Sequence, residues 1–190
     1  MCFSTQYIYI YISKLALVLL LFSKGIGAQH EVDEWIQKLH HAKEKVSRLH
    51  FYFHDTLSGK NPSAVDVAEA SMTKKSPTLF GLLNIFDDPL TEGPEPTSML
   101  VGRAQGLYGS AGQLGLLAAM NFVFTIRKFN GSSVTILGRN AVFQPLREMP
   151  IISGTGAFRL ARVFVTAKTY FLNFTSGDAI VEYHVVAIHY

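Results

Sequence analysis

From Arg48 to Tyr190 the chain breaks into short runs rich in Phe, Tyr, Val, Ile and Thr, each ended by Gly, Pro, Asn or Asp. β-Branched and aromatic side chains suit a pleated, half-buried surface, and the interrupting residues are those of tight turns. The pattern predicts strands over 48–57, 64–70, 79–87, 99–110, 116–129, 133–142, 158–172 and 178–190. The connectors carry turn chemistry: Ser-Gly-Lys-Asn-Pro at 58–62, Asp-Pro and then Glu-Gly-Pro-Glu-Pro within 87–96, Asn-Gly-Ser at 130–132 and Ser-Gly-Asp at 176–178. About eight strands with short turns and no central helix imply an antiparallel all-β fold. Several runs are long, and closing the sheet removes the edges they would expose, so an eight-stranded antiparallel β-barrel over 48–190 is expected.

The N-terminus reads differently. Lys14 precedes the apolar run Leu-Ala-Leu-Val-Leu-Leu-Leu-Phe at 15–22, and small residues follow as far as Ala28. This is the pattern of a secretory leader, 1–28, and the run is too short for the ~20 residues that span a bilayer. A secreted, extracellular protein with no membrane association after leader removal is expected. In the arm 29–47, Val32, Trp35, Ile36, Leu39 and Val46 recur at roughly helical spacing among charges, which predicts a short helix over 31–47.

Without Lys14 and Lys24 the chain carries 15 basic and 14 acidic residues, with no block of like charge. That argues against a nucleic-acid partner. The lone cysteine, Cys2, falls in the leader, leaving no disulfide, thiolate nucleophile or cysteine-bound metal. Asn130-Gly-Ser and Asn173-Phe-Thr are glycosylation sequons consistent with an extracellular setting, whereas proline excludes Asn61-Pro-Ser.

In a strand alternate residues share a face. Leu49, Phe51, Phe53, Asp55 and Leu57 form one face of the first run. If that face points inward, Asp55 is a buried acid whose carboxyl stays protonated, as a proton donor requires. A turn residue or a rim partner for arginine fits the same position. On 99–110 the face Gly102, Ala104, Gly106, Tyr108, Ser110 is small and ends in hydroxyls, leaving room for a ligand or for tight curvature. Arg147, between Pro145 and Pro150 in an irregular segment, can reach a pocket mouth and bind a phenolate or carboxylate, or pair with Glu148. Gly154-Thr-Gly-Ala-Phe-Arg159 lacks the third glycine of a dinucleotide loop and precedes a strand. His50 and His54 lie about 13 Å apart along one strand and His184 and His189 face opposite sides, so no metal site is expected. No nucleophile elbow or nucleotide loop occurs, and no cofactor is expected.

Phe51-Tyr-Phe-His-Asp55, Asp87-Asp-Pro-Leu90, Val101-Gly-Arg-Ala-Gln-Gly-Leu-Tyr108, Arg147-Glu-Met-Pro150, Ser153-Gly-Thr-Gly-Ala-Phe-Arg-Leu-Ala-Arg162 and Gly177-Asp-Ala-Ile-Val-Glu-Tyr183 together resemble the plant dirigent proteins. The resemblance covers about 48–190. It implies a secreted eight-stranded barrel, usually trimeric, that binds phenolic radicals or quinone methides and imposes stereochemistry on their coupling or cyclisation. A separate laccase or peroxidase supplies the radicals. In the lignan-forming members two pocket aspartates, pocket tyrosines and an arginine act on the substrate. The resemblance places the first acid at Asp55, a tyrosine at Tyr108 and the arginine at Arg147, the three expected catalytic positions. The second acid falls on Asn140 in Gly138-Arg-Asn140 and a second tyrosine on Ser110. An amide cannot protonate an oxygen, so two-acid coupling is in question. Phe51, Phe53, Ser110 and Asn140 are expected to line the substrate.

The Gly-Arg-Asn version is similar to the branch that includes pterocarpan synthase. The general expectation is stereoselective coupling of coniferyl-alcohol-like phenoxy radicals by a homo-oligomer, a trimer or a dimer. One alternative is a lyase that dehydrates and cyclises an isoflavanol through a quinone methide. Another is a cell-wall protein that organises lignin without turnover.

Overall fold

In a computed structural model the described residues are 30–112 and 115–190. The expected leader, 1–28, lies outside them. Residues 30–39 form a helix, shorter than the expected 31–47. Val46 fits alternation as well as helical spacing, and it is drawn into a strand whose partner is distant in sequence: Lys45 pairs with His189 and Val46 with Ile188.

Nine strands follow: β1 (Lys45–Asp55), β2 (Ala64–Ala68), β3 (Leu83–Thr91), β4 (Leu100–Gly112), β5 (Gly115–Phe124), β6 (Ser133–Asn140), β7 (Arg147–Thr155), β8 (Arg162–Leu172) and β9 (Ala179–His189). All neighbours pair antiparallel, in the order β1-β9-β8-β7-β6-β5-β4-β3-β2, and β1 also pairs with β3. That last contact, Tyr52↔Thr91 and Phe53↔Leu90, closes β1 and β3 to β9 into an eight-stranded barrel. β2 is an extra strand beside the first half of β3.

The eight barrel strands are not the eight expected runs. β2 stands outside the closed ring, and β7 occupies the segment read as irregular because of its prolines. Pro150 falls just past the last β6–β7 pair, Ile136↔Ile151, where a residue without an N–H is tolerated. β3 runs through Asp87-Asp-Pro-Leu, also read as loop. Asp87 turns its N–H towards Ser63 beside β2. By alternation Pro89 faces the same side, at the fork where β3 passes from β2 to β1.

The odd face of β1 does point inward. Phe51 packs edge-to-face on Phe122 at 5.0 Å, and Phe122 on Tyr183 at 5.0 Å. Phe124, Phe129 and Phe158 plug the same end of the barrel. The small residues of β4 serve curvature: a Cβ on Gly102 or Gly106 would come within 2.3 Å of a β5 carbonyl oxygen. The close approach of β5 takes up the room they leave.

Candidate functional site

At the end of the barrel opposite the phenylalanine plug, the side chains leave a cavity of about 400 Å³. Phe53, Phe86, Met120 and Val181 form apolar walls, and Asp55, Tyr108, Asn140, Arg147, Thr169, Asn173 and Tyr183 bring polar groups to it. Its lip is apolar and wet: Leu79, Phe143 and Phe174 are 51%, 63% and 85% exposed. Leu79 is held there at φ +53°, a left-handed conformation costly for a leucine.

Asp55 ends β1 on the inward face. Its Oδ2 accepts the Tyr108 hydroxyl at 3.1 Å, and its Oδ1 is buried with no hydrogen-bond partner. Burial pushes the carboxyl up to about 6; the Tyr108 bond opposes this and the Asp178 charge adds to it. Tyr108 stacks on Phe86 with ring centres 5.5 Å apart, which fixes its hydroxyl. Burial, and then Asp55, push its own ionisation far above the usual range.

Arg147 opens β7 and is only 4% exposed. Its Nη1 donates to the Val142 carbonyl and the Thr169 hydroxyl, each at 3.0 Å, while Nε and Nη2 have no partner. Burial lowers its pKa and Tyr183 works against that. The alternative partner, Glu148, is the next residue along β7, where alternation turns it to the opposite face. Asn140 ends β6 beside the cavity with Oδ1 buried and unpartnered. The cavity therefore holds unspent donors on Arg147 and unspent acceptors on Asp55 and Asn140.

Two expected substrate residues are placed elsewhere. Phe51 lies in the plug, one step deeper than Phe53, and does not line the cavity. Ser110 gives its hydroxyl to the Thr78 carbonyl at 2.7 Å and borders a separate recess with Pro77, Gly112 and Gly115. Asn130 is exposed in the connection after β5. Asn173 is exposed in the β8–β9 connection at the cavity mouth, its Oδ1 accepting the Thr175 and Ser176 N–H groups at 2.9 and 3.3 Å.

Asp88 was missed by sequence reading. It sits on β3 between Phe86 and Leu90, fully buried, with neither carboxyl oxygen hydrogen-bonded. Continuing the Phe53↔Leu90 register by two residues sets Asp55 opposite Asp88, at the fork where β1 and β2 diverge. Burial first, and then the Asp55 charge, push Asp88 up to about 8; Ser63 and Arg103 ease it slightly. Its signal was legible only if 83–91 is read as a strand: Asn84, Phe86, Asp88, Leu90 then repeats the β1 pattern of an acid among apolar residues. The two carboxyls titrate as a coupled pair rather than independently.

Residues 46–188 match the family of dirigent-like proteins. The chain belongs to the dirigent family. It is 46% identical to dirigent protein 23 of Arabidopsis thaliana, over 94% of this chain and 97% of that one. It is 50% identical to pterocarpan synthase 1 of Glycyrrhiza echinata, over 78% of this chain and 80% of the relative. The solved structure of a pterocarpan synthase dirigent protein superposes with a TM-score of 0.74 at 50% identity, over 78% of this chain and 87% of that one. The barrel of this dirigent protein is thus the one seen in an experimentally solved relative.

Proposed function

We propose that this dirigent protein encloses one phenolic substrate and uses Asp55 as proton donor for a stereoselective dehydration and ring closure through a quinone methide. The tyrosine-held Asp55, whose carboxyl burial raises to about 6, beside the unpaired donors of Arg147 carries this reading. A volume of about 400 Å³ is near the lower end of the ~300–1,000 Å³ of sites that close around a single small molecule, which favours one substrate over two radicals side by side. The kinship with pterocarpan synthases supports the same choice.

In this scheme Asp55 protonates a benzylic hydroxyl, the C–O bond breaks with both electrons leaving on oxygen, and water departs. The conjugated phenol gives its proton to solvent water as the quinone methide forms and takes one back from it at the end, and the free Arg147 N–H groups stabilise the negative charge that develops on that oxygen as the carbon is attacked. A second phenol of the same molecule then attacks the exposed carbon from the face the pocket allows. Its proton returns to the Asp55 carboxylate and the first phenol is reprotonated, so the sum is loss of water with no oxidant consumed.

The other reading is coupling of radicals made by a separate laccase or peroxidase. The buried Asp88 opposite Asp55 favours it by setting a second carboxyl next to the first, although Asp88 itself does not line the cavity. Purified protein incubated with a 2′-hydroxyisoflavanol alone, and separately with coniferyl alcohol plus a laccase, distinguishes the two by chiral chromatography. A single cyclised enantiomer in the first mixture is expected. An isoflavanol consumed no faster than in buffer, with optically active lignan in the second mixture, transfers the assignment to coupling.

Secretion is part of the proposal, supported by the leader pattern and the exposed sequons. So is self-association: Val65, Ile85, Leu107, Ala119 and Leu137 are successive cross-strand neighbours and form an outward apolar row over β2 to β6. A second copy of the chain would bury that row. Light scattering of wild type and Leu107→Lys tests it, with a monomeric wild type overturning it.

A further inference from the structure

The histidines compared along single strands in the sequence have a different relationship in the sheet. His50 on β1 pairs directly with His184 on β9, and Glu182 is two residues away on the same outward face. The two imidazole rings are 4.5 Å apart. Nε2 of His50 lies 2.9 Å, and Nε2 of His184 3.5 Å, from the same Glu182 oxygen, Oε1. All three ligand atoms are within 4.8 Å of one another, and the side chains are 40%, 56% and 22% exposed for His50, His184 and Glu182.

We propose that His50, Glu182 and His184 form a surface site for a divalent transition-metal cation, with zinc as its prototype, which staples β1 to β9. A single cation uses the lone pairs of all three side chains at once. Two imidazole nitrogens and one carboxylate oxygen are a zinc donor set. Bonds of about 2.0–2.2 Å set tetrahedral ligand atoms ~3.4 Å apart. The observed 2.9 and 3.5 Å already bracket that value. Lys168 faces Glu182 across the β8–β9 pair and Tyr52 faces it from β1, so a bound cation shares that carboxylate with the lysine. The site stands on the outer faces of the two strands whose inner faces carry Phe53, Asp55, Val181 and Tyr183. A metal here pins the wall of the cavity without entering it, and the inference is independent of the reaction proposed above.

The test is titration of the full chain with zinc chloride by calorimetry, beside thermal unfolding with and without the metal. Wild type is expected to bind one Zn²⁺ at this site, more tightly than Mg²⁺, and to unfold a few degrees higher when loaded. His50→Ala and His184→Ala should each weaken binding at least ~10-fold and abolish the thermal shift; Glu182→Gln, which keeps the shape of the side chain, should do the same. Wild type that takes up no zinc overturns the proposal. So does a His50→Ala/His184→Ala double variant that binds zinc as wild type does, which would assign the metal to His30, His40 or His41 of the arm. Displacement of the metal by equimolar Mg²⁺ overturns it as well.

Discussion

The Tyr108 hydroxyl donates to Oδ2 of Asp55 at 3.1 Å while Oδ1 of the same carboxyl is buried and free. The bond steadies the carboxylate form and so restrains a pKa that burial alone would raise further. Tyr108→Phe removes this restraint. The limb of the pH–rate profile on which activity falls as Asp55 loses its proton should move upward from about 6. Asp55→Asn should lower the rate by about 10²–10⁴-fold with the barrel intact by circular dichroism. A Tyr108→Phe profile that moves downward, or an Asp55→Asn protein of full activity, would remove this carboxyl from the mechanism.

Asp88 makes stability fall with pH. Its folded-state pKa of about 8 lies above its ordinary 3.8, so the folded protein holds a proton that the unfolded chain has released. Stability from this group is fully present below pH 3.8 and is lost as pH rises towards 8, at about 1.4 kcal/mol per pH unit. Asp88→Asn carries no such charge. Its gain over wild type in urea unfolding should therefore be larger at pH 8 than at pH 5, by about 4 kcal/mol. Equal gains at the two pH values would show that Asp88 is ionised throughout.

Arg147 spends one nitrogen on Val142 and Thr169 and keeps two donors in reserve. A lysine keeps the charge but not the planar fork. Arg147→Lys should cut kcat about 10–100-fold on the cyclisation substrate with a smaller change in KM, as expected for donors that act on developing charge. Steady-state kinetics decide this; a rise in KM alone would make Arg147 a ground-state binding group.

Gly106 marks the tightest approach inside the barrel wall. A methyl group there would lie 2.3 Å from the Ala119 carbonyl oxygen and 2.7 Å from the Met120 Cα, and backbone must move to admit it. Gly106→Ala should cost about 2–3 kcal/mol, lowering the unfolding midpoint by roughly 5–10 °C. Gly112→Ala, where a Cβ meets nothing within 4 Å, is the control and should cost far less.

Much was legible in one dimension. Turn residues separated the strands, alternation put Phe53, Asp55 and Tyr108 on inward faces, and the order of local motifs carried the family. Which way a strand residue points is a local property with a period of two, so sequence alone determines it once the strand is recognised. How deep a residue sits and what lies beside it depend on register and on the strand at either flank. That is why only the tertiary structure moved Phe51 into the plug and Ser110 into another recess. It also turned the proline-rich stretch at Arg147 into a strand, because a backbone with a neighbour on one side tolerates what an isolated run does not. Sequence placed one acid, Asp55, at this site. The fold set Asp88 opposite it, thirty-three positions away in the chain, because the sheet closes between β1 and β3 at that point.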